Sequence, residues 1–253
     1  MSEPHVTATD HKPSAEAAVR CAGLHRRFGE GEAAVDAVAG VDLEFPRAQL
    51  TSIVGPSGSG KSTLMHLLAG LDRPTAGQVW VDGTEITGLS DAELTRLRRD
   101  KLGFIFQFFN LIPVLDAEEN VTLPMRIAGR SVDRQWLEQL LDTVGIADRR
   151  HHRPAELSGG QQQRVAIARA LISKPAVVFA DEPTGNLDSA SSTQVLELLR
   201  RSVDELGHTV VVVTHDPRVA AYADRVVLLV DGMVATDTPV EGEEQVLELM
   251  RSV

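Results

Sequence analysis

Gly55, Pro56, Ser57, Gly58, Ser59, Gly60, Lys61 and Ser62 stand in a row and satisfy the pattern G-x-x-x-x-G-K-[ST] at every fixed position. Glycines at both ends permit tight turns, so successive backbone N–H groups point inward at phosphate oxygens. A helix beginning at Lys61 adds its positive N-terminal end. Lys61 then reaches the outer phosphates of a nucleotide and the Ser62 hydroxyl ligates Mg2+, with Thr63 completing the cradle.

The apolar run AVVFAD ends on Asp181, where a carboxylate at a strand tip binds the shell of a metal ion through water. Glu182 follows, expected on the opposite face of an extended backbone, where it polarises an attacking water. Two solvated acids at a strand end are the plainer alternative. In LSGGQQQRVAIARAL, Ser158 is a good N-cap, and Gly159 and Gly160 leave amides bare at a helix start. That is a second anion-binding helix end. A chain with one triphosphate site has no use for two, whereas a two-fold dimer places the second on its partner's nucleotide. An ordinary capped amphipathic helix is the alternative.

These residues need strands and helices to position them. Leu50–Val54 reads as a buried strand, followed by the loop and a helix with apolar Leu64, Leu67, Leu68 and Leu71. QVWVDG alternates and ends in a turn at Asp82-Gly83. KLGFIFQ is another short apolar run, and a helical pattern dominates residues 113–171. AVVFAD, TVVVVTHD and RVVLLVDG are continuous β-branched runs, interrupted by a helical stretch at 189–206. Strands apolar throughout are covered on both faces, which predicts a parallel sheet in an α/β fold. Order is expected from about Val19 onward, after a polar tail.

Composition limits the functions open to the chain. Of 253 residues, 43% are hydrophobic and 24% charged, so one large α/β domain or two small ones are in reach. Lys and Arg total 25 against 36 Asp and Glu, a net −11 that argues against a general basic field holding nucleic acid. The single cysteine, Cys21, excludes an intramolecular disulfide framework and a multi-cysteine zinc module, and fits a reducing compartment. A membrane span needs about 18 consecutive apolar residues, and the run at 102–115 is shorter and broken by Gln107, Asn110 and Pro113. The N-terminus lacks the apolar core of a secretory signal, so the chain reads as soluble and cytosolic.

The phosphate loop, LSGGQ, the Asp181-Glu182 pair and the histidine of TVVVVTHD together resemble the ATP-binding subunit of an ABC transporter, in matching order over residues 19–233. GFIFQFFNLIPVLDAEENV and DEPTGNLDS resemble its lipoprotein-release and macrolide-export branch, with cell-division subunits in the same neighbourhood. The resemblance implies an α/β P-loop NTPase core with a mostly parallel sheet, a small antiparallel β part and a helical subdomain at about 108–172. The domain would span 19–253, after a tail at 1–18. ATP and Mg2+ are the implied ligands. Gln107 matches the loop glutamine that touches magnesium and water. Asn186, Leu187 and Asp188 match the segment that crosses to a partner, with Asp188 counted at the nucleotide site. His215 matches the histidine that contacts the γ-phosphate. Ser158, Gly159, Gly160 and Gln161 would meet the partner's nucleotide. Phe28 stands where an aromatic stacks on adenine, unless it is a core residue.

The resemblance further implies a head-to-tail homodimer driving a separate transmembrane permease from the cytoplasmic face of the membrane, with no nucleic acid partner. Two rivals are a regulatory ATP-dependent clamp that moves no solute and a soluble ABC ATPase of translation or DNA repair. Residues 108–125 are expected to dock the permease through Leu111 and Leu115, with two prolines preventing one continuous helix; a core strand at their start is the alternative. Arg149, Arg150, His151, His152 and Arg153 form either a local anion patch or a solvated basic loop. The acidic end, 237–253, reads as a solvated terminal helix.

Overall fold

The computed structural model describes residues 17–252. The chain passes through β1 (Ala17–Phe28), β2 (Val35–Pro46), β3 (Leu50–Val54), α1 (Lys61–Leu68), β4 (Ala76–Val81), β5 (Thr84–Glu85), α2 (Asp91–Lys101) and β6 (Leu102–Phe106). It continues through α3 (Ala117–Ile127), α4 (Arg134–Val144), α5 (Gly159–Leu171), β7 (Val177–Asp181), α6 (Ser189–Asp204) and β8 (Val210–Val213). It ends with α7 (Pro217–Ala220), β9 (Arg225–Val230), β10 (Met233–Pro239) and α8 (Glu243–Arg251). Ala17 and Ala18, assigned by sequence to the tail, instead open β1, and Ala18 is fully buried. The rest of that expected tail, 1–16, lies outside the described residues.

The continuous apolar runs form one sheet in the order β10-β9-β3-β8-β7-β6, parallel throughout except for β10. Alternation along each strand divides its side chains between two faces. Val177, Phe179, Val211 and Val213 face α1 and the second sheet, packing with Leu64, Leu67 and Phe45. Val178, Ala180, Val210 and Val212 join the opposite cluster with Leu140, Val165, Ile167 and Leu199 of α4, α5 and α6. The second sheet, β2-β1-β4-β5, is antiparallel. Its β4–β5 turn uses Asp82 and Gly83, both at positive φ, as an Asp-Gly hairpin turn requires.

Two local expectations need correction. Helix α1 stops at Leu68, and Leu71 stands past its end, 46% exposed, because Gly70 at φ 61° turns the chain and sends the Leu71 N–H back to the His66 carbonyl. As expected, residues 108–125 are not one continuous helix, and Pro113 lies in the loop, but Pro124 sits inside α3 without ending it.

The segment before α3 is pinned by one side chain. Asn120, fully buried, accepts from the Ile112 N–H and donates to the carbonyls of Ile112, Leu115 and Asp116. Strand β6 ends at Phe106, so the alternative of a core strand stops there. Phe108, Ile112 and Val114 face outward, whereas Leu111 packs on the core and Leu115 is half-buried, so the expected docking residues are not the exposed ones. The basic run meets acids: Arg150 pairs with Glu118 and Glu138, and His151 Nδ1 lies 3.3 Å from Asp116. Among the described residues no helix is long and apolar enough to cross a membrane.

Candidate functional site

Strand β3 delivers the chain to the sheet's carboxyl edge, where it turns through the glycine-rich loop into α1. Two glycines are sterically required. A Cβ on Gly55 would lie 2.1 Å from the Leu229 carbonyl oxygen, and one on Gly60 2.0 Å from that of Ala37. The loop is thus wedged between β9 and β2, with Gly60 at φ 98° as the N-cap of α1. It borders a cleft of about 540 Å³ lined by Gly55, Pro56, Ser57, Gly58, Gly60, Lys61, Ser62 and Thr63, with Ala37, Val213, Glu182, His215 and Met250. Ser59 is buried behind it, its hydroxyl without a partner.

Lys61 is buried, and its Nζ donates to the carbonyls of Gly55 at 2.9 Å and Pro56 at 2.8 Å. Burial lowers its pKa, while Glu182 and Asp181 act to raise it. The cation therefore sits at the cleft on acceptors that phosphate oxygens can replace.

Across β8 from β3 in the same sheet, β7 ends at Asp181. Burial raises the Asp181 carboxyl above the usual range, Glu182 adds to this, and His66, Ser62 and Lys61 oppose it. Glu182 is not extended as expected: its φ is +46°. Its N–H still reaches the Val213 carbonyl at 2.9 Å, so the chain swings at that residue and re-aims the side chain. One carboxylate oxygen accepts from the Thr214 hydroxyl at 3.1 Å. The other accepts from the His215 N–H at 3.1 Å and lies 2.6 Å from His215 Nδ1.

Other predicted site residues lie away from this cleft. Gln107 and Asn186 are tied to each other: Gln107 Nε2 donates to Asn186 Oδ1 at 3.2 Å, and Asn186 Nδ2 donates to the Gln107 carbonyl at 3.0 Å. Asp188 caps α6, accepting from the N–H and hydroxyl of Ser191, and these bonds hold its pKa low. Ser158 and Gln161 form the capping box of α5: the Ser158 hydroxyl accepts from the Gln161 N–H, and Gln161 Oε1 accepts from the Ser158 N–H. Gly160 lies against Ser191, and Gly159 near Leu187. Phe28 closes β1, 43% exposed, with the Arg26 guanidinium 4.4 Å from its ring centroid; it is not the core residue of the alternative reading.

Thr214, Ala37 and Met250 were not singled out from sequence. Thr214 follows an apolar run directly, a signal open to reading; Ala37 and Met250 carry none. Among the described residues no cluster of three or more His, Cys, Asp or Glu suits a metal. Ser62 and Asp181 instead offer two oxygens within hydrogen-bond reach of each other, which would suit a hard cation such as Mg2+.

A glycine cradle at a helix start, with an acid pair at the tip of a parallel strand two places along the same sheet, defines a P-loop nucleotide-binding protein. The ABC transporter family profile matches residues 38–185. The chain is 47% identical over 216 residues to the lipoprotein-releasing system ATP-binding protein LolD of Geobacter metallireducens, covering 85% of this chain and 96% of that protein. It is 49% identical over 220 residues to the macrolide export ATP-binding/permease protein MacB of Marinobacter nauticus, covering 86% of this chain and 34% of that one. It thus spans about a third of the length of the MacB proteins it matches. A dimeric post-hydrolysis structure of the ATP-binding cassette MJ0796 of Methanocaldococcus jannaschii, bound to ADP and phosphate, matches with a TM-score of 0.78. There the identity is 42%, over 88% of this chain and 99% of that one. The chain belongs to the ABC transporter family.

Proposed function

We propose that the chain binds and hydrolyses ATP with Mg2+ as the motor subunit of an ABC export or release system. Two copies close head to tail on two nucleotides and drive a transmembrane permease from the cytoplasmic face of the membrane. One observation carries the reading. The helix end at Lys61 opens on the cleft, whereas the capped helix end at Ser158 does not line that cleft and is free to serve a second copy's nucleotide. Relatives named for macrolide export and lipoprotein release support transport over a clamp that only signals.

The loop amides and Lys61 hold the triphosphate. Mg2+ on Ser62 and Asp181 would neutralise charge on the β- and γ-oxygens. Glu182 takes the proton of a water attacking the γ-phosphorus in line, while the bond to the bridging oxygen breaks and ADP keeps its electron pair. Thr214 and His215 fix that carboxylate, and the exposed His215 ring reaches the γ-phosphate. Gln107, if released from Asn186, would help hold the metal and the water, and Phe28 offers its open face to adenine.

Glu182→Gln tests the assignment, since the amide keeps the shape but takes no proton. ATP should still bind, turnover should fall at least about 100-fold, and ATP with Mg2+ should accumulate a stable dimer in size-exclusion chromatography. Turnover near the wild-type rate would remove Glu182 as the base.

A further inference from the structure

The acidic C-terminal helix is not simply solvated. Val246 of α8 is fully buried against Val54, Ala220, Val226 and Leu228, and Leu249 and Met250 pack on the same group. That group joins three supports of the site. Val54 is the last residue of β3, before Gly55; Val226 and Leu228 lie on β9; and Ala220 lies on α7. Helix α7 starts two residues after His215, with Asp216 as its N-cap, accepting from the Arg218 N–H at 2.9 Å. Beside the nucleotide cleft lies a second one, of about 560 Å³. His215 and Glu182 line both, Met250 lines the first and Glu243 the second, so α8 has one end at each of the two clefts that His215 borders.

His215 itself is weakly held. Its side chain is 73% exposed and follows the end of β8 by two residues. Four residues of helix do not hold a position by themselves; their place comes from what they pack on.

We propose that Val246 is a positioning residue for His215: seated on Ala220, it lets α8 fix α7 and the preceding segment 214–216, which keeps the imidazole against Glu182 at the cleft. The proposal rests on the ATPase reading of this site.

The test is Val246→Ala in the full chain, with the His215 ring followed by nitrogen-resolved NMR and assigned by its loss in His215→Gln. The His215 signals should shift and broaden without nucleotide. Turnover at saturating ATP should fall about 5- to 10-fold while the directly measured ATP affinity changes less than about 2-fold, and Val246→Ile should restore both readouts. Unchanged His215 signals and turnover beside a lowered melting temperature would make α8 mere packing and overturn the proposal. So would an equal loss of ATP affinity, which would trace the effect through Val54 to the phosphate loop. Should Val246→Ala not fold, Leu249→Ala, a truncation at a partly buried position on the same group, carries the same readouts. If the wild-type chain shows no ATP turnover, it is the ATPase reading that fails, and the NMR measurement alone decides the positioning role.

Discussion

Lys61 rests against carbonyls of its own loop at the cleft. Replacing it by Ala removes the fixed cation aimed at the outer phosphates. Charge-assisted hydrogen bonds contribute about 1.5–3 kcal/mol each, so ATP affinity by calorimetry should fall about 10- to 100-fold. Unchanged affinity would contradict the phosphate-loop assignment. Asp181 makes the opposite trade. In the unfolded chain it ionises near 3.8, but burial delays this in the folded one. Between those two values the native state holds more protons than the unfolded state, so stability falls as pH rises, and above the folded value the full cost persists. Asp181→Asn should therefore raise the melting temperature of the nucleotide-free protein at pH 7 and abolish the extra stabilisation by Mg2+ with ATP. A lower melting temperature without nucleotide would show that the carboxylate supports the fold.

Among the elements, α5 carries the sharpest division of labour. Its start is closed by the reciprocal Ser158–Gln161 bonds, and its body packs Val165, Ile167 and Leu171 into the core. Ser158→Arg loses the cap, which costs about 1 kcal/mol, and puts a large cation where a partner's phosphate would sit. The expected outcome is a small drop in melting temperature, unchanged ATP affinity of the single chain, and no ATP-dependent dimer even with Glu182→Gln. Loss of affinity in the single chain would mean that Ser158 serves its own cleft.

For the molecule as a whole, the relevant feature is that one pair of side chains joins the outward loop to the segment after Glu182. Gln107 and Asn186, tied by two hydrogen bonds, set the start of the loop that presents Phe108, Ile112 and Val114. On the proposed function, nucleotide state at Glu182 would reach that apolar surface, and the surface would receive a short helix of the proposed permease. Val114 is 73% exposed, so Val114→Asp should leave melting temperature and ATP binding unchanged and lose co-purification of the permease from solubilised membranes. Leu111→Asp, by contrast, should destabilise the fold, because Leu111 packs on the core. Retained co-purification by Val114→Asp would place docking elsewhere.

What the amino-acid sequence determined by itself follows from local rules. Strands β7, β8 and β9 were legible because four or five apolar residues in a row suit a backbone covered on both faces. The phosphate loop and the cap at Ser158 were legible because glycine sterics and side-chain acceptors act within three or four residues. Tertiary structure alone decided the rest. Glu182 leaves the extended conformation where its backbone meets β8, and Gln107 meets a residue 79 positions away. Pro124 stays in a helix held by packing on α5. Asn120 sets which residues of the outward loop face solvent, and Val246 is buried only because α7 and β9 come together beneath it. Each of these depends on contacts between distant segments, whose energies no local pattern encodes.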